Sequence, residues 1–579
     1  MPAAPNEVDA RSRRGIEGQV GLWAVLLLFC ASVVAVNPVR ECPQIDDWAY
    51  AKTSWRLLET GEYRLHEWLA ANFPFQAIWG AMFCLVFGKS FAALRLSTVA
   101  LSLVGLVAFR SLAVEHGLCR SAANLLTLCV ASSSMFFHLS LTFMTEVPFF
   151  SLMTVAMLFY TRAVRLTSVF AWVLATIAGA SAILVRQFGA ALIPALVVVW
   201  FLDPRRTSRL AYYALGLALP ALATAWQLNR GWQHPNWAAE FHAHRQARFL
   251  FSESFFTQLP WRPTVVFEYL ALWLVPLVFL AAWVVFRELS AYRLRRKLAT
   301  EGKRNPLPSL VASIVFFAAA VAYGWKVGGT DSLMPFAAGS YKFLANSPDP
   351  LRYGITLIVV AGAALFARIS VARYVRSTRA ALGPAELVLD LTTLFSLAFI
   401  LSFNQFVDRY FLVCLPYAAI VVGRPLAEAL LAWRRTVIVC CVVLSIGSAV
   451  WTREDLARDE AVWTLSERLR TEGILPEQIF SDEKWLFFWQ FEDSVHKGQI
   501  TSTSDYADLL ALRGGWLGRS RASAEYRIVD DLRPPFGEIW RVVDQTRYFS
   551  VYARGYQTLY AVRRVRPIAE PASGSERSQ

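Results

Sequence analysis

Asp46 and Asp47, in the run Gln44-Ile-Asp-Asp-Trp-Ala-Tyr50, set two carboxylates side by side just after the first long apolar stretch. A carboxylate there can take the proton from an attacking hydroxyl. The structural alternative is a helix N-cap, which needs only one Asp. Glu146, in Phe143-Met-Thr-Glu-Val-Pro-Phe149, stands between two apolar runs. It is a second candidate acid, although with Pro148 in a first helical turn either Thr145 or Glu146 would serve as a cap. Arg186, in Leu184-Val-Arg-Gln-Phe-Gly-Ala190, offers a planar fork that grips phosphate bidentately; the alternative is an interfacial arginine whose stem lies along lipid. Asp408-Arg409-Tyr410 opens a late apolar run, where Arg409 is a second phosphate ligand or merely a partner for Asp408, and Tyr410 an interfacial aromatic.

The elements that must position these groups cross a membrane. The chain has 579 residues, is 56% hydrophobic and only 17% charged, with a mean hydropathy of +0.40. Soluble chains are nearer a quarter charged. Apolar runs of roughly bilayer length are centred near residues 28, 102, 130, 155, 177, 195, 219, 276, 315, 359, 394, 417 and 444, which predicts about thirteen helical spans. The net charge of +14 comes from clusters between those runs, such as Arg205-Arg206 and Arg293 to Lys297. That is the pattern of juxtamembrane cations and not of a nucleic-acid face.

Charge also orders the topology. Phe73 to Phe87 is short and begins Phe-Pro-Phe. If it rests against the bilayer without crossing, the clusters holding Arg120, Arg162, Arg165, Arg205, Arg206, Arg209, residues 293–304, Arg373, Arg376, Arg379, Arg434 and Arg435 all fall on the cytoplasmic side. The N-terminus is then cytoplasmic. Residues 37–90 form one external loop, and 229–262, 326–350, 404–410 and the C-terminal part from Trp451 are external. In that first loop Trp48, Ala51, Trp55 and Leu58 recur at helical spacing, predicting an interfacial helix lying on the membrane surface. The expected organisation is a tail at 1–19, a transmembrane domain at 20–451, a small external α/β domain at 452–567 and a disordered tail at 568–579. The α/β domain would hold a helix at 453–472 and strands around 547–553 and 557–562.

Other features carry less. Glu240, His242 and His244 are weak candidates for a divalent metal, since residues two apart diverge on a helix. His234 lies in the same loop. Glu268 and Asp390, inside apolar runs, read as structural. The eight cysteines sit mostly within apolar runs and show neither a disulfide framework nor zinc spacing. No P-loop, nucleophile elbow or dinucleotide fingerprint occurs, and Gly328-Gly329 is too short a signal for phosphate binding.

Taken in order, these motifs resemble the GT-C superfamily of polytopic membrane glycosyltransferases, in particular the lipid A aminoarabinose transferases and the family 39-like protein O-mannosyltransferases. Ile45 to Tyr50 is similar to their acidic pair after the first span, and Leu85 to Leu96 to their entry into the second. Thr145 to Pro148 is similar to their second acidic site, where many members carry Asp. Val185 to Ala190 resembles a Lys-Gly-containing junction, with Arg and Gln substituted, and Arg409-Tyr410 followed by Leu415-Pro416 resembles their Arg-Tyr and Leu-Pro run. Glu240 to Phe249 is out of register with the Glu-His-x-x-Arg-Phe stretch of the aminoarabinose enzymes.

The resemblance covers roughly residues 15–425. It implies transfer of a sugar from a polyprenyl-phosphate donor to a hydroxyl of a glycan, lipid or protein on the external face of the cytoplasmic membrane, with inversion. Asp46, Asp47 and Glu146 would be the acidic residues of the site, and Arg186, Arg409 and Tyr410 the lipid-phosphate ligands. Two other readings compete: a transporter or flippase, which should show internal repeats and midplane charges, and a relative that binds a lipid-linked sugar without transferring it. The candidate groups gather at one face and no repeat is visible, which favours the transferase.

Overall fold

A computed structural model of the chain describes residues 5–233, 237–297, 358–370, 382–404, 406–496, 524–530, 532 and 540–565. The helices in chain order are α1 (Pro5–Val36), α2 (Asp47–Thr60), α3 (Pro74–Phe87), α4 (Phe91–Glu115), α5 (Arg120–Ala131), α6 (Ser134–Ser140), α7 (Glu146–Leu166), α8 (Val169–Val185), α9 (Leu192–Leu202) and α10 (Leu210–Gln233). There follow α11 (Trp237–Leu250), α12 (Glu253–Gln258), α13 (Arg262–Trp273), α14 (Val275–Lys297), α15 (Ile358–Ser370), α16 (Pro384–Ser402), α17 (Leu415–Gly423), α18 (Ala427–Ala432), α19 (Arg434–Thr471) and α20 (Glu483–His496). Short 3₁₀ turns at Gln187–Ala191 and Asp408–Cys414 lead into α9 and α17.

The molecule is a helical, multi-pass membrane protein. Twelve of the thirteen expected span centres fall on these helices, and the one near 315 lies outside the described residues. So do His234, Gly328-Gly329, the loop 326–350 and the tail from 568. Among the described residues, five helices are long and apolar enough to cross alone, and two bent pairs, α5 with α6 at 67° and α13 with α14 at 98°, meet the same length and composition together. The spans near 177 and 195 are shorter helices. Local chemistry sets the ends. Ser90 and Ser168 accept the N3 amides of α4 and α8, and Gly61, at φ 71°, turns the chain out of α2 in the left-handed region.

The first loop departs from expectation in one respect. The Trp face of α2 does not lie open on a membrane surface. Trp48 and Trp55 are buried, Trp48 against Phe487 and Phe491 of α20 and Trp55 against Phe91. The exposed apolar face belongs to α3, through Ile78, Met82, Leu85, Val86 and Phe87. α3 packs its other side inward, where Gly80 leaves the room that the Phe143 ring occupies.

Arg95 ties this loop to the bundle. Its buried guanidinium donates to the carbonyls of Pro38, Arg40, Cys42 and Leu141 at 2.7–2.9 Å. Bonds from a charged donor are worth about 1.5–3 kcal/mol each, and orphaned buried carbonyls cost more. Arg95→Met is therefore expected to destabilise the fold by about 3 kcal/mol or more, read as a fall in melting temperature in detergent. Arg95→Lys should recover only part, because one ammonium cannot span four acceptors.

The last helix of the bundle, α19, runs unbroken for 38 residues from an apolar half into a polar one. The expected helix at 453–472 is its outer half. Beyond it lie β1 (Ile479–Phe480), β2 (Tyr526–Val529), β3 (Trp540–Ser550) and β4 (Gly555–Arg564), in the order β1-β2-β4-β3. β1 and β2 are parallel and the other pairs antiparallel, with a register shift between Val542 and Asp544. The strand expected at 547–553 ends at Ser550, where the chain turns into β4.

Candidate functional site

The four sequence-separated motifs meet at one place. Arg186 Nη1 and Arg409 Nε each lie 2.9 Å from Oε1 of Glu146, and Arg409 Nη2 lies 3.6 Å from Oδ2 of Asp46. The Glu146 side chain is 1% exposed and that of Asp46 37%, so the cluster has a closed floor and an open lip. Two carboxylates and two guanidiniums balance in formal charge. Glu146 does what two adjacent arginines need: it holds them close against their mutual repulsion.

Each bland alternative can be compared with this geometry. Asp46 precedes α2 but makes no side-chain cap bond; its Oδ1 accepts the Trp68 indole N–H at 3.3 Å, and its other oxygen faces Arg409. Thr145 likewise makes no side-chain cap bond at the start of α7. Arg186 is turned inward, stacked 4.1 Å above the Tyr410 ring, and is not stretched toward a lipid surface. Asp408 accepts the backbone amide of Arg409 at 2.7 Å, while the Arg409 side chain reaches Glu146 and Asp46.

Four helical N-termini converge here. Asp46 precedes α2, Glu146 begins α7, Arg186 precedes the 3₁₀ turn into α9, and Arg409 lies at the start of the turn into α17. The positive ends of α2 and α7 favour an anion, which adds to the two guanidinium forks. Each guanidinium carries five N–H donors, more than its protein contacts employ.

Asp47 occupies a different niche. It is buried, and its two oxygens accept the amides of Gln44 at 2.6 Å and Phe143 at 3.3 Å. Burial pushes its carboxyl up to about 7, against the opposing pull of Arg95 and those two amides. Its placement braces the Asp46 loop against the turn that delivers Glu146. Tyr50, one helical turn after Asp46, faces the same cluster, and its hydroxyl is pushed up by burial and by Glu146.

A second set of groups grips the Asp46 loop from the C-terminal side. Gln44 Nε2 donates to Asp459 of α19, which also pairs with Lys484 of α20; Lys484 lies 3.7 Å from Asp482. Between Gln44 and Asp46, Ile45 sits at φ 53°. A β-branched residue in the left-handed region is strained, and persists only where its surroundings impose it. On the far side Trp68 packs 4.5 Å from Phe487 of α20 and holds Asp46.

Sequence reasoning missed Trp68, Arg95 and the Asp459–Lys484 latch. Tyr50 alone left a signal there, being four residues after Asp46. Glu240, His242 and His244 lie on α11, and among the described residues no group of three or more His, Cys, Asp or Glu side chains is close enough to hold a metal ion.

Comparison with known proteins gives the following. No curated protein matches the chain. Two solved structures of ArnT from Cupriavidus metallidurans, one in the apo state and one bound to undecaprenyl phosphate, are each 16% identical to it. The alignments cover 93% of this chain and 97% and 98% of theirs, each at a TM-score of 0.41. A family model matches residues 74–227, a segment running from α3 into α10 that contains Arg95, Glu146 and Arg186. Over those residues the chain is similar to the dolichyl-phosphate-mannose-protein mannosyltransferase family, in keeping with the resemblance of its motifs to the GT-C membrane glycosyltransferases.

Proposed function

We propose that the protein transfers a sugar from a polyprenyl-phosphate donor to an acceptor hydroxyl at the external face of the membrane, with inversion. The convergence of Asp46, Glu146, Arg186 and Arg409 carries this reading. The matched family is named for a dolichyl-phosphate mannose donor, a lipid of the same chemical kind. The donor phosphate meets the outer N–H groups of Arg186 and Arg409. Asp46, at the open lip, accepts the proton of the acceptor hydroxyl as its oxygen bonds to the anomeric carbon. The bond from that carbon to the phosphate oxygen breaks, and the polyprenyl phosphate leaves with the electron pair. Negative charge grows on the phosphate in the transition state, where two fixed cations stabilise it without reorganising. Asp47 and Glu146 position; they do not touch the transferred proton.

The test is sugar transfer by the purified protein in lipid nanodiscs, supplied with polyprenyl-phosphate hexose or aminopentose labelled in the sugar. Release of polyprenyl phosphate coupled to a labelled product supports the reading. Movement of intact donor between leaflets with no bond broken would support a flippase instead.

The latch gives a narrower prediction. Lys484→Met unseats Asp459 and Gln44 and lets the strained Ile45 relax, moving Asp46 but neither arginine. A displacement of about 1 Å is worth up to about a hundredfold in rate, so kcat should fall about tenfold or more while donor affinity holds. Lys484→Arg should restore part of the loss.

A further inference from the structure

We infer that the cavity between α2 and the C-terminal unit binds an acidic saccharide. The cavity has a volume of about 720 Å³, within the range of about 300–1,000 Å³ usual for ligand sites. It opens at a seam between two units, where such sites gather. Its walls come from α2, the segment 64–67, α19 and α20.

The lining has two kinds of surface. Trp463, Phe488 and Trp489 provide aromatic surface, with Trp463 and Phe488 edge to face at 5.3 Å and with one face of Phe488 covered by Lys52 and one of Trp489 by Arg470. A sugar ring presents its C–H groups on one flat face, which the negative face of an aromatic ring attracts. The charged groups differ in how far the protein already uses them. Glu467 accepts the indole N–H groups of Trp485 and Trp489 at 2.7 and 2.6 Å, and Glu59 pairs with Lys89. Arg56 and Arg64 make only long pairs, 3.7 Å to Glu62 and 3.9 Å to Glu67, and their side chains are 43% and 57% exposed. The lining sets Lys52, Arg56, Arg64 and Lys89 against Glu59, Glu67 and Glu467, and with Glu59 and Glu467 already engaged the cations favour a carboxylate or phosphate. Flat apolar faces plus acidic groups describe an acidic sugar chain better than a neutral one. An acidic peptide offers the charge without the ring faces.

The wall between this cavity and the site is one chain segment thick. His66 and Glu67 line the cavity, and the next residue, Trp68, donates to Asp46.

The experiment titrates the full-length protein in nanodiscs with trigalacturonic acid, maltotriose and triglutamate, following intrinsic tryptophan fluorescence. Trigalacturonic acid should give a saturable change, at least tenfold weaker in the Arg56→Ala/Arg64→Ala double variant. Maltotriose should bind at least tenfold more weakly than trigalacturonic acid. No saturable response to trigalacturonic acid, an undiminished response in the double variant, or equal binding of triglutamate would overturn the assignment. Binding here requires no transfer. If trigalacturonic acid binds as expected but no lipid donor supports transfer, the transferase reading fails and the saccharide site stands; if transfer proceeds without such binding, the reverse holds.

Discussion

Asp46→Asn is expected to lower kcat for sugar transfer by about two to four orders of magnitude while leaving affinity for the lipid donor near that of the wild type. The substitution is close to isosteric. Its carboxamide oxygen can keep the Trp68 indole bond, so the loop keeps its shape and only the basic oxygen is lost. Because Arg409 lies 3.6 Å away, removing this carboxylate also leaves that cation less neutralised. That would strengthen the hold on a donor phosphate if it changes it at all. A purely structural Asp46 predicts the reverse signature: lower stability with proportionate losses of binding and rate.

Arg186→Met and Arg409→Met are expected each to reduce kcat/KM for the donor by about 10²–10³. In the proposed reaction each guanidinium faces the position where phosphate charge grows, above the buried Glu146. The single variants should still fold, because Glu146 retains one of its two cations; the double variant leaves a carboxylate that is 1% exposed without a partner. Breaking a buried pair in that way costs about 3–5 kcal/mol. Rates should therefore be compared among single variants, with melting temperatures measured alongside. Lysine should substitute poorly at 186, where the planar group stacks on Tyr410.

The sequence made the site legible because membranes charge heavily for misplaced cations. Once arginine clusters assigned the connections to sides, Asp46, Glu146, Arg186 and Arg409 fell at one face, and the structure brings these four into one ion cluster. Which of two adjacent aspartates faces the cluster was not legible: Asp47 turns inward only because the amides of Gln44 and Phe143 await it, and backbone partners leave no trace in residue type. Arg95 was opaque for the same reason, since its acceptors are four carbonyls. The period of α2 announced a buried face without saying what buries it, and α20 covers it. The outer half of α19 read as a separate helix because hydropathy changes at Trp451, whereas backbone hydrogen bonding continues through it.

In the proposed reaction the two arginines hold the donor and Asp46 takes the proton of the acceptor. Equilibrium binding of a polyprenyl-phosphate sugar to nanodisc-embedded wild type, Asp46→Asn, Arg186→Met and Arg409→Met tests it most directly. The expected result is wild-type affinity in Asp46→Asn and at least tenfold weaker binding in either arginine variant. Unchanged binding in both arginine variants, or binding lost with Asp46 alone, would contradict it.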